Sequence, residues 1–111
     1  EMCIRDRIIT PHFEPTFSDG TAGGLEDDTI TFDICRALVD RWVDISELES
    51  ARAVASMVDD HHHLVEGAAG VALAAATRFA DTNPGTRVVA VSCGANVGAA
   101  SLEAMLAMAN R

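Results

Sequence analysis

Apolar residues recur at helical or strand spacing over most of the chain, and the breaks in that spacing mark its elements. Ile30, Ile34, Ala37 and Leu38 share one face, which predicts a helix over Thr29–Asp40 with Thr29 as its cap and Asp33 in its early turns. Trp42-Val43-Asp44-Ile45 alternates with a period of two and reads as a short strand. Ser46-Glu47-Leu48-Glu49 is a capping box, and the helix it opens carries Leu48, Ala51, Ala55 and Val58 on one stripe before ending near Asp59–His61. From His62 or His63 to Ala80 the chain is apolar nearly all round, with the small-residue centre Gly67-Ala68-Ala69-Gly70-Val71-Ala72. Such a helix has to be buried. Asp81-Thr82-Asn83-Pro84-Gly85 is a turn, Arg87–Ser92 a core strand, and Gly98–Asn110 a last helix with Leu102, Met105, Leu106 and Ala109 on one face.

Helix–strand–helix–helix–strand–helix is an α/β order, with helices on the faces of a small parallel sheet. Two strands do not make a stable sheet by themselves, so the segment reads as the edge of a larger sheet whose other strands lie elsewhere. Residues 8–28 hold two of the three prolines and show no periodicity. They read as a loop of a length that usually carries function or awaits a partner. Residues 1–7 show no pattern either, and Glu1-Met2-Cys3-Ile4-Arg5-Asp6-Arg7 resembles a translated sequencing adaptor. They are set apart from the fold on that ground, and Cys3 with them, the alternative being a natural N-terminus.

Composition narrows the function. At 111 residues the chain fits one domain or a piece of one, and 49% hydrophobic residues are ample for a core. A net charge of −9 argues against nucleic acid or an anionic membrane surface as partner. No apolar run approaches the ~20 residues of a membrane span, and no signal peptide is evident. Three widely spaced cysteines suggest neither a disulfide framework nor a zinc site, which fits a reducing cytoplasm. All eight basic residues are arginine. Chemistry that needs a lysine amine cannot be completed by these residues alone.

The candidate chemistry gathers where the apolar run Val88-Val89-Ala90-Val91 stops, at Ser92-Cys93-Gly94-Ala95-Asn96. In open α/β sheets ligands sit just beyond the carboxyl ends of strands. Cys93 there offers a weak S–H donor, and Gly94 lets the backbone come close to a flat ligand. The plainer reading of Cys93 is a small buried residue closing a strand. Cys35, within an apolar helix, reads as core. Glu66 at the head of the buried helix either serves the helix dipole or faces a ligand. Asp19-Gly20 opens a glycine-rich stretch to Gly24 that lacks the Gly-Lys-Ser/Thr ending of a phosphate loop. His61-His62-His63 are consecutive and point in different directions, so they read as a solvated helix boundary, as do Asp59-Asp60, and no metal site is expected.

Four segments in order then resemble one family: Phe17-Ser18-Asp19-Gly20, Thr31–Ile45 leading into Ser46-Glu47-Leu48-Glu49, Val65-Glu66-Gly67-Ala68-Ala69-Gly70, and Val91-Ser92-Cys93-Gly94-Ala95-Asn96-Val97. Together they resemble the C-terminal third of a fold-type-II pyridoxal-phosphate enzyme, within it the threonine dehydratase, serine dehydratase and serine racemase family. Asp19-Gly20-Thr21-Ala22-Gly23-Gly24 is also similar to the dehydratases of hydroxyectoine breakdown. The resemblance implies a partial three-layer, tryptophan-synthase-β-like large domain over residues 29–111, the cofactor pyridoxal 5′-phosphate, and an amino-acid substrate. It further implies a homo-oligomer when intact, and loss of water and then ammonia from a β-hydroxy amino acid to leave a 2-oxo acid. Racemisation is the sibling activity, and a small non-catalytic interaction domain the reading of another class. Cys93 would face the pyridine nitrogen, with Gly94 beside it, Gly20 lining the ring face, Glu66 near the ring, and Asn96 tying the loop. A neutral thiol does not hold that nitrogen protonated as an aspartate would, which suits β-elimination. The family's Schiff-base lysine and glycine-rich phosphate loop have no counterpart in these residues.

Overall fold

The computed structural model describes residues 2–4, 7–9, 15–22 and 29–111. Two three-residue strands, β1 (Met2–Ile4) and β2 (Arg7–Ile9), pair antiparallel with Met2 opposite Ile9. The pairing joins residues on either side of the boundary drawn after residue 7. A single 3₁₀ turn follows at Asp19–Thr21, then four helices: α1 (Thr31–Leu38), α2 (Glu47–Asp59), α3 (Gly67–Thr82) and α4 (Ala99–Ala109). The hairpin is the one ladder among the described residues.

α2 is the hub, packing against both α3 and α4. Its N-terminus is built as the sequence dictates. The Ser46 hydroxyl accepts from the Glu49 N–H at 3.3 Å, and the Glu49 carboxylate accepts from the Ser46 N–H at 2.8 Å. The buried stripe is Ser50, Ala51 and Val54 rather than the expected Leu48, Ala51, Ala55 and Val58, of which Ala51 alone is fully buried. The face is set by where α3 comes closest. A Cβ on Gly70 would stand 2.7 Å from Ser50 Oγ and 2.8 Å from Val54 Cγ2, and Ser50 donates to the Gly67 carbonyl at 3.0 Å. Ala51 and Val54, with Val65, Ala69 and Met105, form the core. Phe17, Met57, Leu73, Val97, Leu102, Met108 and Ala109 pack around them. Burial of α3 is confined to its first half, at Gly67–Gly70 and Ala74.

Several expected elements differ. α3 begins at Gly67, not at His62 or His63, because the chain turns sharply first. His62 is left-handed (φ 53°), and the His63 N–H reaches back to the Met57 carbonyl at 2.9 Å, as in a Schellman helix stop. The α1 helix starts two residues later than expected. Thr29 offers its carbonyl to Phe32 N–H rather than a side-chain cap. α1 buries no residue, so Cys35 is half-buried and outside the core, and Ile30 and Leu38 are 88% and 75% exposed. Trp42–Ile45 and Arg87–Ser92 form no ladder among the described residues. A strand needs a neighbour to accept its N–H groups, and none of the described residues pairs with them, leaving Val89 92% and Val91 73% exposed. The α4 helix stands as expected, with Met105 fully buried, whereas α3 runs two residues past its expected end at Ala80, so the turn expected over Asp81–Gly85 is confined to Asn83–Gly85, with Gly85 at φ 83°.

Arg78 ties the far end of α3 back to this scaffold, donating to Glu49 Oε1 at 3.1 Å and to the Asp44 carbonyl at 2.7 Å. The Ser46 N–H and hydroxyl, with a lesser contribution from Arg78, hold the Glu49 carboxyl below its ordinary value of 4.5 against the opposing effect of desolvation. That stabilisation is present above pH 4.5 and is lost as the pH falls through the lowered folded value. Glu49→Gln therefore lowers the melting temperature at neutral pH, and its difference from wild type shrinks in circular-dichroism melts taken at successively lower pH below 4.5. Gly70→Ala gains about 0.5–1 kcal/mol of helix propensity but overpacks the α2–α3 contact at a cost of about 1–3 kcal/mol. It is expected to melt lower than wild type, and a higher melting temperature would show that the two helices can part without loss.

Candidate functional site

The site is assembled around the first turn of α3. Glu66 is its N-cap residue, extended at φ −84° and ψ 170°, and its carbonyl accepts from the Gly70 N–H at 3.0 Å. Its carboxylate makes no cap bond to its own helix. It turns instead to the loop that follows the apolar run, accepting from the Asn96 N–H at 3.0 Å, while the Glu66 N–H donates to the Gly94 carbonyl at 3.1 Å. The two bonds run in opposite directions and clamp residues 94–96 against residue 66. A tight turn, with the Val97 N–H on the Ala95 carbonyl at 2.9 Å, then sends the chain into the core at Val97 and on to the Gly98 cap of α4.

Gly94 is required by this clamp. A Cβ there would lie 2.6 Å from Glu66 Oε1, 2.7 Å from Cδ and 2.8 Å from Oε2. The carboxylate fills the space a side chain would need. Cys93, the next residue back, is exposed, so the reading of a buried thiol closing a strand does not hold. The loop is tied at residue 96 through the main-chain N–H, which any residue there but proline would supply, so the expected role of the Asn96 side chain is not what this bond shows.

Residues 16–21 lie against the same turn of α3. A Cβ on Gly67 would stand 2.1 Å from the Phe17 carbonyl oxygen, so the two backbones touch where no side chain fits. Ser18 is buried, its hydroxyl 2.6 Å from that of Thr21, and the Thr21 N–H closes on the Ser18 carbonyl at 2.9 Å. Gly20 sits over Ala68, where a Cβ would make an ordinary 3.7 Å contact. Its N–H is taken by Asp19 Oδ1 at 2.8 Å. Gly94 and Gly20 thus both approach the start of α3, Gly94 at Glu66 and Gly20 at Ala68, and the exposed Cys93 precedes Gly94 in the loop.

The remaining candidates lie elsewhere. His61, His62 and His63 are exposed at the end of α2. No three His, Cys, Asp or Glu converge on a metal position among the described residues. An open groove of about 480 Å³ between α2 and α3 is lined by Arg52, Met57, His61, Leu73, Arg78 and Asp81, and none of the expected site residues borders it. Two residues that build the site carried no separate signal in the sequence. Ser50 bonds the Gly67 carbonyl, and Glu47 bonds Thr16 and Phe17. A small polar residue one turn into a helix and an acid in its first turn look the same whether or not they reach another segment.

No helix among the described residues is long and apolar enough to cross a membrane. No curated protein matches the chain with significance. A family model for pyridoxal-phosphate dependent enzymes matches residues 3–94, a span that takes in Gly20, Glu66, Cys93 and Gly94. That match covers most of the 111 residues and brings with it the family's dependence on pyridoxal phosphate. The chain belongs to the fold-type-II pyridoxal-phosphate-dependent enzymes.

Proposed function

We propose that these residues form one wall of the cofactor site of an ammonia-lyase that eliminates water, then ammonia, from a β-hydroxy amino acid. The observation that carries the reading is the clamp of Glu66 on Gly94 and Asn96. It fixes the loop backbone at Gly94 beside the exposed Cys93 thiol. A flat heteroaromatic ring suits such a wall, and a neutral thiol suits an unprotonated ring nitrogen.

Bound there, the cofactor supplies the electron sink for the carbanion left when the substrate loses its α-proton. The chain's own residues do the positioning. Cys93 would offer its S–H to the pyridine nitrogen without adding charge, which would leave the ring a moderate sink suited to loss of a β-hydroxyl. Gly94 keeps the loop backbone close to Glu66, Glu66 holds the loop in register, and Gly20 would line the ring face. On the same reading Val88–Val91 is the edge strand of an α/β sheet within a partial large domain over residues 29–111. The wall contains no lysine, so these 111 residues do not supply the lysine amine that would hold the cofactor covalently.

The isolated chain is accordingly expected to retain no cofactor absorbance band after dialysis against buffer, because it has no amine placed to form the covalent link. A band that survives would overturn the one-wall reading. In the lysine-bearing holoenzyme, L-threonine or L-serine should yield ammonia and a 2-oxo acid in equal amounts. Inverted amino acid without ammonia would replace the lyase with a racemase. Cys93→Ser, which keeps a neutral donor, should retain most of that activity, whereas Cys93→Asp, which would hold the nitrogen protonated, should lose most of it.

A further inference from the structure

Glu47 stands in the first turn of α2, where an acid ordinarily does no more than favour the helix dipole from water. Here both carboxylate oxygens are engaged thirty residues away in the chain. Oε1 accepts the Thr16 hydroxyl, and Oε2 accepts the Phe17 N–H at 2.9 Å. The grip is relayed one step further, because the Thr16 hydroxyl oxygen accepts the Ser18 N–H at 2.9 Å. The Phe17 carbonyl also lies against the bare backbone of Gly67, and the Phe17 side chain packs on the core. Residues 16–18 are therefore fixed from three directions: by Glu47, by the start of α3 and by the core. The 3₁₀ turn that carries Gly20 begins at the next residue.

Of these three holds, the carboxylate alone satisfies the Phe17 N–H and orders Thr16. Contact with Gly67 limits how near the segment comes to α3 but does not fix its direction. We propose that Glu47 is the positioning residue that seats the Thr16–Thr21 turn, and with it Gly20, on the first turn of α3. The proposal rests on the reading of Gly20 as a cofactor-facing residue. It makes the N-terminus of α2 the support for the segment that carries Gly20, as Glu66 is for the loop at Gly94.

Amide hydrogen exchange on the full chain tests it. Glu47→Ala should lower the protection of the Phe17, Ser18 and Thr21 amides by about tenfold, the loss expected when a charge-assisted bond is removed. Protection of the Val54 and Met57 amides within α2 should hold. Glu47→Gln keeps one acceptor oxygen and should recover part of the loss. Thr16→Val, which removes the second arm without touching α2, should weaken Ser18 in the same sense. Unchanged protection at Phe17 and Thr21 in Glu47→Ala would overturn the proposal. So would an equal loss throughout α2, which would mark Glu47 as a helix-start residue only. Pyridoxine 5′-phosphate, which lacks the reactive aldehyde, added to the lysine-bearing enzyme freed of its cofactor, separates this from the site reading. Resonance shifts at Gly20 that vanish in Glu47→Ala support both. Shifts at Gly20 that persist in that variant overturn the seating role, and absence of shifts at Gly20 and Gly94 in wild type overturns the cofactor assignment while the exchange result still decides the seating.

Discussion

The start of α3 depends on three side chains that are missing. At Gly67 a Cβ would collide with the Phe17 backbone, at Gly70 with Ser50 and Val54, and at Gly94 with the Glu66 carboxylate. Each absence lets a different segment close in: the Thr16–Thr21 turn, α2, and the loop before α4. A larger residue at any of the three positions would push one segment away, and the rest of the site is referenced to that point. The consequences differ in kind. At Gly67 the obstruction is backbone, which cannot yield without moving the turn. At Gly94 it is the end of a flexible carboxylate, which could swing aside but would then release the Asn96 N–H.

The parts that local chemistry dictates were legible in the sequence. The Ser46–Glu49 capping box forms because its donors and acceptors lie within four residues of each other, and Met105 is buried because α4 has an apolar face at helical spacing. Elements that needed a partner were not legible in the same way. Ile30, Ile34 and Leu38 have the spacing of a buried face, yet α1 buries nothing. Periodicity tells which face would be covered, not whether a cover is present. The same holds for Val88–Val91, whose apolar run has strand character but no ladder among the described residues. The α2 stripe was misplaced by one position on the helix because Gly70 decides which face approaches, and no residue of α2 records that.

The candidate site was legible in outline for a related reason. Glu66, Gly94 and Gly20 each stood out by residue type, and the structure brings all three to one helix turn. What the sequence could not show was how Glu66 is used. An acid at a helix start has a sufficient explanation in the dipole, yet this one gives its carboxylate to the Asn96 N–H, thirty residues on, and makes no cap bond. Glu47 repeats the pattern on α2, and its carboxylate too leaves the helix for a distant backbone N–H.

These two acids suggest how an enzyme wall can be precise without a large core. The buried apolar cluster is small, and loops do most of the work of shaping the site. Van der Waals packing of alanine and glycine gives close approach but little directional control, since small residues slide on one another with few steric steps. Hydrogen bonds from a carboxylate to main-chain N–H groups supply the missing direction, because they weaken steeply when bent or lengthened. Close approach and directed bonding are therefore complementary here: the glycines let two segments reach α3, and Glu47 and Glu66 each fix one of them there. A substitution that restores a side chain at the glycines and one that removes a carboxylate should damage the same wall by different routes, the first by distance and the second by orientation.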